Sequence, residues 1–193
     1  MLRAIDMVHK ANFLHGDIKP DNWILLGSCP NPFQVAKADG ISIATSELCL
    51  IDFGRSIDRT MYPQGTCFLN DCHAKGFQCI EMLTNKPWTC QVDTFGVAAI
   101  AYFMLFGEYL FKKHLKQVNG RWSLNRPWKR YWRSDLWTLL FDVLLNVSSC
   151  SKQPDILCLV NQLESYYTDD ISKVKELHEL LRSQDRMIPK SSI

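Results

Sequence analysis

Four polar side chains beside two short apolar segments have the residue types that phosphoryl transfer requires. Asp17, Lys19 and Asn22 lie close together in the stretch HGDIKPDN, and Asp52 ends the later stretch LCLID. A carboxylate can orient an attacking hydroxyl, carboxylate and amide oxygens can hold Mg²⁺, and an ammonium group can offset the charge of the transferring phosphate. The set predicts a phosphotransfer site, provided that the fold brings Asp52 to the first loop.

Two short strands are expected to bring these groups together. Residues 22–26, NWILL, are apolar and partly β-branched, and residues 46–54, SELCLIDFG, form a second apolar segment that ends at a glycine. The connection between them is rich in Gly, Pro, Asn and Asp, which is typical of a surface loop. The pattern predicts a β-hairpin with a long loop, in which the two functional loops converge.

Helices are predicted for most of the remaining chain. Apolar residues at helical spacing in residues 1–12 indicate the last turns of a packed helix. Residues 92–110, VDTFGVAAIAYFMLFGEYL, are apolar on nearly every face and predict a central buried helix. Three more helices are predicted, at 134–147 with Ser134 as the N-cap, at 154–167 and at 169–184. The predicted fold class is therefore mostly α (α+β).

The overall composition is that of an ordinary globular protein. The 193 residues are 47% hydrophobic and 22% charged, and the formal net charge is +2, so no strong overall field favours nucleic acid or an acidic membrane. The longest apolar run, around residues 97–106, is about half of what spans a bilayer. No secretory leader pattern is recognisable at the N-terminus, so we expect a soluble intracellular protein.

The eight cysteines are interpreted as reduced thiols, because the chain is neither short nor marked as secreted. One cluster, Cys67, Cys72, His73 and Cys79, could be considered for zinc. Its spacing lacks the paired C-x-x-C knuckle of structural zinc sites, so we favour free or buried thiols at these positions.

The joint pattern H-x-D-x-K-x-x-N, an apolar strand and then IDFG resembles the catalytic and metal-binding loops of eukaryotic protein kinases. The stretch GFQCIEM resembles the end of a kinase activation segment, and VDTFGVAA resembles the start of the central kinase helix. The finer similarity, over residues 13–147, is to the Bub-type mitotic checkpoint serine/threonine kinases, which share HGDIKPDN, NKPW and FGVAA. The resemblance implies the C-terminal lobe of the protein-kinase fold.

The resemblance implies a role for each polar residue and a need for ATP and Mg²⁺. Asp17 would be the base toward a serine or threonine hydroxyl, and Lys19 would contact the transferring phosphate. Asn22 and Asp52 would hold Mg²⁺. Ile24, on the strand after the catalytic loop, would lie under the adenine of ATP.

Five further residues are implied to be structural. Phe53 would pack under His15, whose imidazole is expected to be packed rather than catalytic. Gly54 would permit the turn that follows the metal-binding aspartate. Glu81 and Asp93 would be structural anchors rather than reactive groups, with Asp93 as the buried aspartate of the central helix.

Gly16 departs from the common kinase pattern. Many kinases carry an arginine there, which pairs with a phosphorylated activation loop. Our hypothesis is that residues 55–81 are instead ordered by packing of their phenylalanines and cysteines. A tenfold dependence of kinase activity on phosphorylation at Thr60 or Thr66 would contradict it.

A second departure concerns the N-terminal lobe. The glycine-rich loop, the strand lysine and the helix glutamate of kinases lie ahead of the catalytic loop, and only fourteen residues precede His15. We therefore expect residues 1–167 to form the C-terminal lobe only, with residues 168–193 as a helical extension and tail. A truncated gene model or splice form is favoured, and this chain by itself is expected to have negligible kinase activity and weak ATP affinity.

The implied function is that of an ATP-dependent serine/threonine kinase of the mitotic spindle assembly checkpoint, of which this chain is a fragment. Its partners would be protein substrates, histone tails among them, and kinetochore proteins that bind through regions outside the chain. We expect a monomer in the nucleus, at the centromere and kinetochore, with the cytoplasm as a further location and no membrane partner. The alternative is a pseudokinase-like binding module that acts in checkpoint or kinetochore assembly without catalysis.

A basic and aromatic stretch at residues 121–133 allows three interpretations. Arg and Lys alternate there with Trp and Tyr. We favour the interpretation that the tryptophans pack and the bases are solvated. Docking of an acidic or phosphorylated protein comes second, and binding of nucleic acid by phosphate contacts and base stacking comes last.

Overall fold

The computed structural model describes residues 1–26, 47–69 and 78–168, together with the isolated positions 172, 176 and 179. The helices are α1 (Leu2–Lys10), α2 (Ile80–Leu83), α3 (Gln91–Phe106), α4 (Ser134–Leu145) and α5 (Ile156–Thr168). The strands are β1 (Phe13–Leu14), β2 (Trp23–Leu26), β3 (Glu47–Leu50), β4 (Ile57–Asp58), β5 (Leu115–Val118) and β6 (Arg121–Leu124). The described part is rich in helices and has only small sheets, as the sequence predicts.

The predicted hairpin is confirmed by the antiparallel pair β2–β3. Its register places Trp23 opposite Leu50 and Leu26 opposite Glu47. One further hydrogen bond, from Ile51 N to Asn22 O (3.0 Å), extends the pairing beyond the strands. The two functional loops therefore leave the hairpin side by side, while the connecting residues 27–46 lie outside the described part.

Two further strand pairs were not predicted. Strand β1 pairs with β4, which joins the start of the catalytic loop to the segment after IDFG. Strand β5 pairs with β6 around Asn119 and Gly120, whose φ angles are 50° and 78°. An Asn-Gly pair with two positive φ angles is typical of the tight I′ hairpin turn, so the signal for this hairpin was present in the sequence.

Helix α3 is the centre of the core. Every residue from Gln91 to Ile100 is buried, and α3 packs against α4, α1 and α2. The helix ends at Phe106, four residues before the predicted end, because Gly107 adopts a left-handed conformation (φ 72°) that closes the last turn. None of the described helices is long and apolar enough to cross a membrane.

The prediction that Ser134 caps α4 is wrong. Ser134 is the first helical residue, and its side chain makes no capping hydrogen bond; Arg133 occupies the N-cap position. The Arg133 guanidinium instead binds Asp135 in the first turn (Nε to Oδ1, 2.9 Å). Helix α5 agrees with its predicted range to within two residues, and the helix predicted at 169–184 lies outside the described residues apart from the isolated positions.

A glycine in α3 allows the core to approach the catalytic loop. A Cβ atom at Gly96 would lie 2.5 Å from Ile18 Cβ and 2.7 Å from Ile18 O. Real side chains do not make contacts this short, and the carbonyl oxygen belongs to the backbone, so it cannot rotate away. The position of the loop against α3 therefore depends on the absence of a side chain at residue 96.

We expect Gly96→Ala to destabilise the fold by about 3 kcal/mol, because overpacking forces backbone shifts that outweigh the better helix propensity of alanine. Urea unfolding measures the loss. The matched control is Gly107→Ala, where a Cβ meets nothing within 4 Å and only the positive φ is strained, at a cost of about 1 kcal/mol. Equal losses for the two variants would contradict the close approach.

Candidate active site

One buried carboxylate on α3, that of Asp93, anchors the backbone of the catalytic loop, residues 15–22. Asp93 Oδ2 accepts from the backbone N–H of His15 (2.8 Å), and Oδ1 accepts from that of Gly16 (2.8 Å). His9 Nε2, from α1, is hydrogen-bonded to the same Oδ2 at 2.8 Å. Because Asp93 is fully buried, these three contacts replace the water that the carboxylate has lost.

His9 is a site-supporting residue that the sequence interpretation missed. It is buried on the core side of α1, four residues after the buried Ile5. A histidine in line with the apolar face of an amphipathic helix is a weak signal, since it names no partner. The partner lies 84 residues further along the chain, so only the tertiary structure identifies it.

Asp17 is the centre of the polar cluster. Its Oδ2 accepts from Lys19 Nζ (2.7 Å) and from Asn22 Nδ2 (3.2 Å), and its backbone oxygen also accepts from Asn22 Nδ2 (2.7 Å). The two bonds to the side chain use the same carboxylate oxygen, Oδ2, which leaves Oδ1 without a hydrogen bond among the described residues. The structure thus joins three of the four polar residues that the sequence analysis selected.

The surroundings of Asp17 favour its ionised form. Burial alone would raise the pKa of Asp17, but the hydrogen bond and charge of Lys19, with help from Asn22 and Arg55, hold it below its ordinary value. The group is therefore a carboxylate at neutral pH. Its contribution to stability is present above the ordinary aspartate pKa and is lost as the pH falls through the lowered value.

Asp52 follows β3 in an unusual backbone conformation. Its φ is 61°, in the left-handed region, and its Oδ1 accepts from Gly54 N (3.2 Å). The turn was expected to need the freedom of Gly54, yet the positive φ falls on Asp52 instead. Gly54 matters for space, because a Cβ there would lie 3.1 Å from Asp52 Oδ1. A non-glycine residue in this region is uncommon and typical of functional sites.

His15 and Phe53 connect the two loops. Their rings meet edge to face with centroids 4.8 Å apart. The His15 imidazole is buried; its Nε2 donates to Ile51 O (3.0 Å), and its Nδ1 accepts from Asp17 N (3.3 Å). One imidazole therefore holds the backbone of the catalytic loop and that of the Asp52 loop in fixed relation.

The donor set at the convergence of the loops fits Mg²⁺. Among the described residues, both hydrogen bonds of the Asn22 side chain use its amide nitrogen, which leaves the amide oxygen for a cation. Asp52 has one carboxylate oxygen beyond the one that Gly54 N binds. Carboxylate and amide oxygens are the ligands that Mg²⁺ prefers. Because Ile51 N donates to Asn22 O and Asp52 directly follows Ile51, Asn22 and Asp52 lie near each other.

The β2–β3 hairpin presents apolar side chains to solvent. Ile24 is 46% exposed, and Leu26, two residues on and so on the same face, is 41% exposed. Leu25 and its partner Leu48 are exposed on the other face. An exposed apolar row of this kind marks a binding surface more often than a simple solvated strand.

Glu81 stands apart from this cluster. It lies in α2, where its backbone oxygen accepts from Lys86 N (2.8 Å), and burial raises the pKa of its carboxyl group. Among the described residues it takes no part in the hydrogen bonds that join the catalytic loop. The structure therefore does not assign it to the chemistry.

The basic and aromatic stretch is largely packed. Trp122 and Trp128 pack partly buried against the core, and the Trp128 and Trp132 rings lie 6.2 and 5.3 Å from that of Phe106. Three of its arginines are ion-paired, namely Arg121 with Asp142, Arg126 with Glu108 and Arg133 with Asp135. This arrangement supports the interpretation that the tryptophans pack.

The cysteine cluster considered for zinc lies partly outside the described residues. Cys72 and His73 lie outside the described residues, while Cys67 is exposed and Cys79 is buried. In the part of the chain that the structure describes, no group of three or more His, Cys, Asp or Glu side chains could hold a metal ion.

We expect Asp93→Asn to cost about 3 kcal/mol of unfolding free energy, because the amide keeps one acceptor oxygen and turns a donor toward backbone N–H groups. Asp6→Asn is the control, since it breaks only a surface pair with Lys10 at i, i+4 spacing, worth about 0.5 kcal/mol or less. Urea unfolding compares the two variants, and hydrogen exchange at the Gly16 amide reports the loop directly. Similar small losses would show that Asp93 is not the anchor.

Comparison with known proteins agrees with this geometry. The model of the protein kinase domain matches residues 1–152, which include the catalytic loop, the Asp52 loop and α3. The chain belongs to the protein kinase family.

Within that family the similarity is to mitotic checkpoint kinases, as the motifs suggested. The chain is 36% identical to mitotic checkpoint serine/threonine-protein kinase BUB1 of Arabidopsis thaliana, over 95% of this chain and 36% of that protein. It is 40% identical to BUB1 of Mus musculus, over 94% of this chain and 16% of that protein. The BubR1 kinase domain crystal structure superposes with a TM-score of 0.75 and 32% identity, over 91% of this chain and 49% of that chain. The chain thus spans well under half the length of these curated relatives.

Proposed function

We propose that this chain supplies the catalytic lobe of an ATP-dependent protein serine/threonine kinase that acts in the mitotic spindle checkpoint. The observation that carries the proposal is the hydrogen-bonded cluster of Asp17, Lys19 and Asn22, held beside Asp52 by the β2–β3 pairing. The names of the relatives supply the checkpoint context.

Each side chain has a role in the proposed reaction. Asp17 orients the serine or threonine hydroxyl and accepts its proton; its lowered pKa makes it a positioning base more than a strong one. This suits a loose transition state, in which little proton transfer is needed before the phosphate bond breaks. Lys19 Nζ lies 2.7 Å from Asp17 Oδ2, where its charge can stabilise the transferring phosphate. Asn22 and Asp52 would hold Mg²⁺, which when bound neutralises the charge of the phosphates.

The apolar hairpin is proposed as the lower half of the nucleotide site. Ile24 and Leu26 share one exposed face, and burying that face under an adenine ring would remove it from water. The phosphate-covering loop and its lysine would belong to an N-terminal lobe. The superposed BubR1 kinase domain is about twice as long as the part matched here, which leaves room for such a lobe in the complete protein.

The finer assignments rest on the relatives alone. We propose serine and threonine residues of chromosomal and checkpoint proteins, including histone tails, as substrates, and kinetochore proteins as partners through other regions of the complete protein. The corresponding location is the nucleus, at the centromere and kinetochore, with the cytoplasm as a further site. The proposed catalytic lobe is a monomer with residues 168–193 as an extension, and it has no membrane partner.

The activation segment is proposed to be ordered by packing rather than by phosphate. Gly16 has a φ of 76°, and a Cβ there would lie 2.8 Å from Arg55 O, so no arginine fits at this position without moving the backbone. Further along, the Phe68 ring packs 5.3 Å from Tyr62 and 5.4 Å from Trp88. Phe77, which also motivated the hypothesis, lies outside the described residues.

A chimeric kinase tests the proposed function. We expect residues 1–193 alone to transfer negligible phosphate from Mg·ATP to histone. When the same residues are fused behind the N-terminal kinase lobe of the Arabidopsis relative, we expect the fusion to phosphorylate histone. In the fusion, Asp17→Asn should lower kcat by about 10³-fold with little change in ATP affinity, since it removes the hydroxyl-orienting base.

The matched control is Asp21→Asn, an exposed carboxylate in the same turn, which should leave kcat within about twofold, since surface substitutions have small effects. A fusion that binds Mg·ATP but transfers no phosphate would favour the pseudokinase-like binding module. Robust histone phosphorylation by the 193-residue chain alone would contradict the need for a second lobe.

A further inference from the structure

Two cysteines that the phosphotransfer site does not use lie beside each other in the fold. Cys67 is exposed in the segment after the Asp52 loop, and Cys150 is half-buried between α4 and α5. They are distant in sequence, and neither belongs to a motif that the kinase resemblance contains. Their proximity is a property of the tertiary structure.

One backbone bridge brings the segment of Cys67 to that of Thr89. Phe68 and Trp88 form an isolated antiparallel bridge in which each N–H donates to the other residue's oxygen at 2.9 Å. Cys67 directly precedes Phe68, and Thr89 directly follows Trp88. Each of the two residues therefore lies one position from the same bridge.

Thr89 in turn contacts Cys150. Its Oγ1 donates to Cys150 O at 2.9 Å, so the segments of both cysteines contact the chain at residues 88–89. The thiols interact there: burial, together with a hydrogen bond and charge from the Cys67 thiol, raises the pKa of Cys150 to about 11. The Cys67 thiol also reaches Gly65 O at 3.4 Å.

We propose that Cys67 and Cys150 are a redox modification site, at which a peroxide converts the two thiols into a reversible disulfide. The bond would join the activation segment to the connection between α4 and α5. It would close a loop that contains α2, α3 and α4, and it would hold Phe68 on Trp88. This inference does not depend on the proposed kinase activity.

The chemistry balances with hydrogen peroxide as the oxidant. The Cys67 thiolate attacks one peroxide oxygen; an S–O bond forms, the O–O bond breaks, and the leaving hydroxide takes a proton to become water. The Cys150 thiolate then attacks the sulfenic sulfur of Cys67. An S–S bond forms, the S–O bond breaks, and a second water leaves after protonation. Two thiols lose two electrons, and one peroxide gains them.

Exposure decides the order of these steps. Cys67 is open to solvent and meets peroxide first, whereas Cys150 is sheltered and completes the bond. Cys79 and Cys90 are buried, and burial raises the pKa of each thiol, so both are expected to stay reduced. Because the reacting form of Cys150 is its thiolate, the closing step should accelerate with pH across the range below about 11.

Peptide mapping of the whole 193-residue chain tests the site. The chain is treated with hydrogen peroxide, its remaining thiols are blocked, and the digest is read by mass spectrometry. We expect one crosslinked peptide pair that contains Cys67 and Cys150, a fall from eight free thiols to six, and full reversal by dithiothreitol. Limited proteolysis near residue 65 should slow several-fold in the oxidised chain.

Single substitutions provide the controls. Cys67→Ser and Cys150→Ser should each abolish the crosslink, while Cys158→Ser, at another exposed cysteine, should leave it unchanged. Recovery of Cys67 joined to Cys72, or of Cys67 as a sulfinic acid with Cys150 still reduced, would overturn the proposal. Peptide mapping of the peroxide-treated chain without substitutions already distinguishes these outcomes, so the conclusion does not depend on the stability of the variants.

Discussion

The buried carboxylate of Asp93 is the interaction on which the rest of this structure depends. A carboxylate taken out of water is costly unless donors replace the lost hydration, and here two backbone N–H groups and one imidazole supply that replacement. The same three bonds fix α1 and the first residues of the catalytic loop on α3. The geometry of Asp17 and Asn22 therefore follows from an anchor that lies outside their own hydrogen-bonded cluster.

Close approach of backbone segments at two glycines is the second constraint on this structure. Gly96 lets α3 touch the catalytic loop at Ile18, and Gly16 lets that loop touch Arg55 O. A Cβ atom at Gly16 would lie 2.8 Å from Arg55 O, so the backbone leaves no space for a side chain there. The segment after Asp52 is held by β1–β4 pairing and by Phe68 against Trp88, the contacts on which the proposed ordering by packing rests. The proposed thiol pair lies at this second contact, where a covalent bond would reinforce the packing.

The polar cluster and the apolar hairpin together have the features expected of one active site. In the proposed reaction, Asp17 and its neighbours offer oxygens and an ammonium group to a hydroxyl and a phosphate, and Ile24 offers exposed hydrocarbon to the adenine ring. Such a site fits a member of the protein kinase family. The family resemblance says nothing about Cys67 and Cys150; their proposed pairing rests on the Phe68–Trp88 bridge, the Thr89–Cys150 hydrogen bond and the exposure of Cys67.

The local features of this protein follow directly from its amino-acid sequence. Asp17, Lys19 and Asn22 share one loop, and alternation of turn and apolar residues is enough to predict the β2–β3 hairpin that brings Asp52 to them. The Asn-Gly turn of β5–β6 was equally local and was overlooked. The meeting of His9 with Asp93 and the approach of the Cys67 and Cys150 segments at residues 88–89 appear only in the folded chain. Both depend on contacts between segments far apart in the chain, and residue spacing carries no information about such contacts.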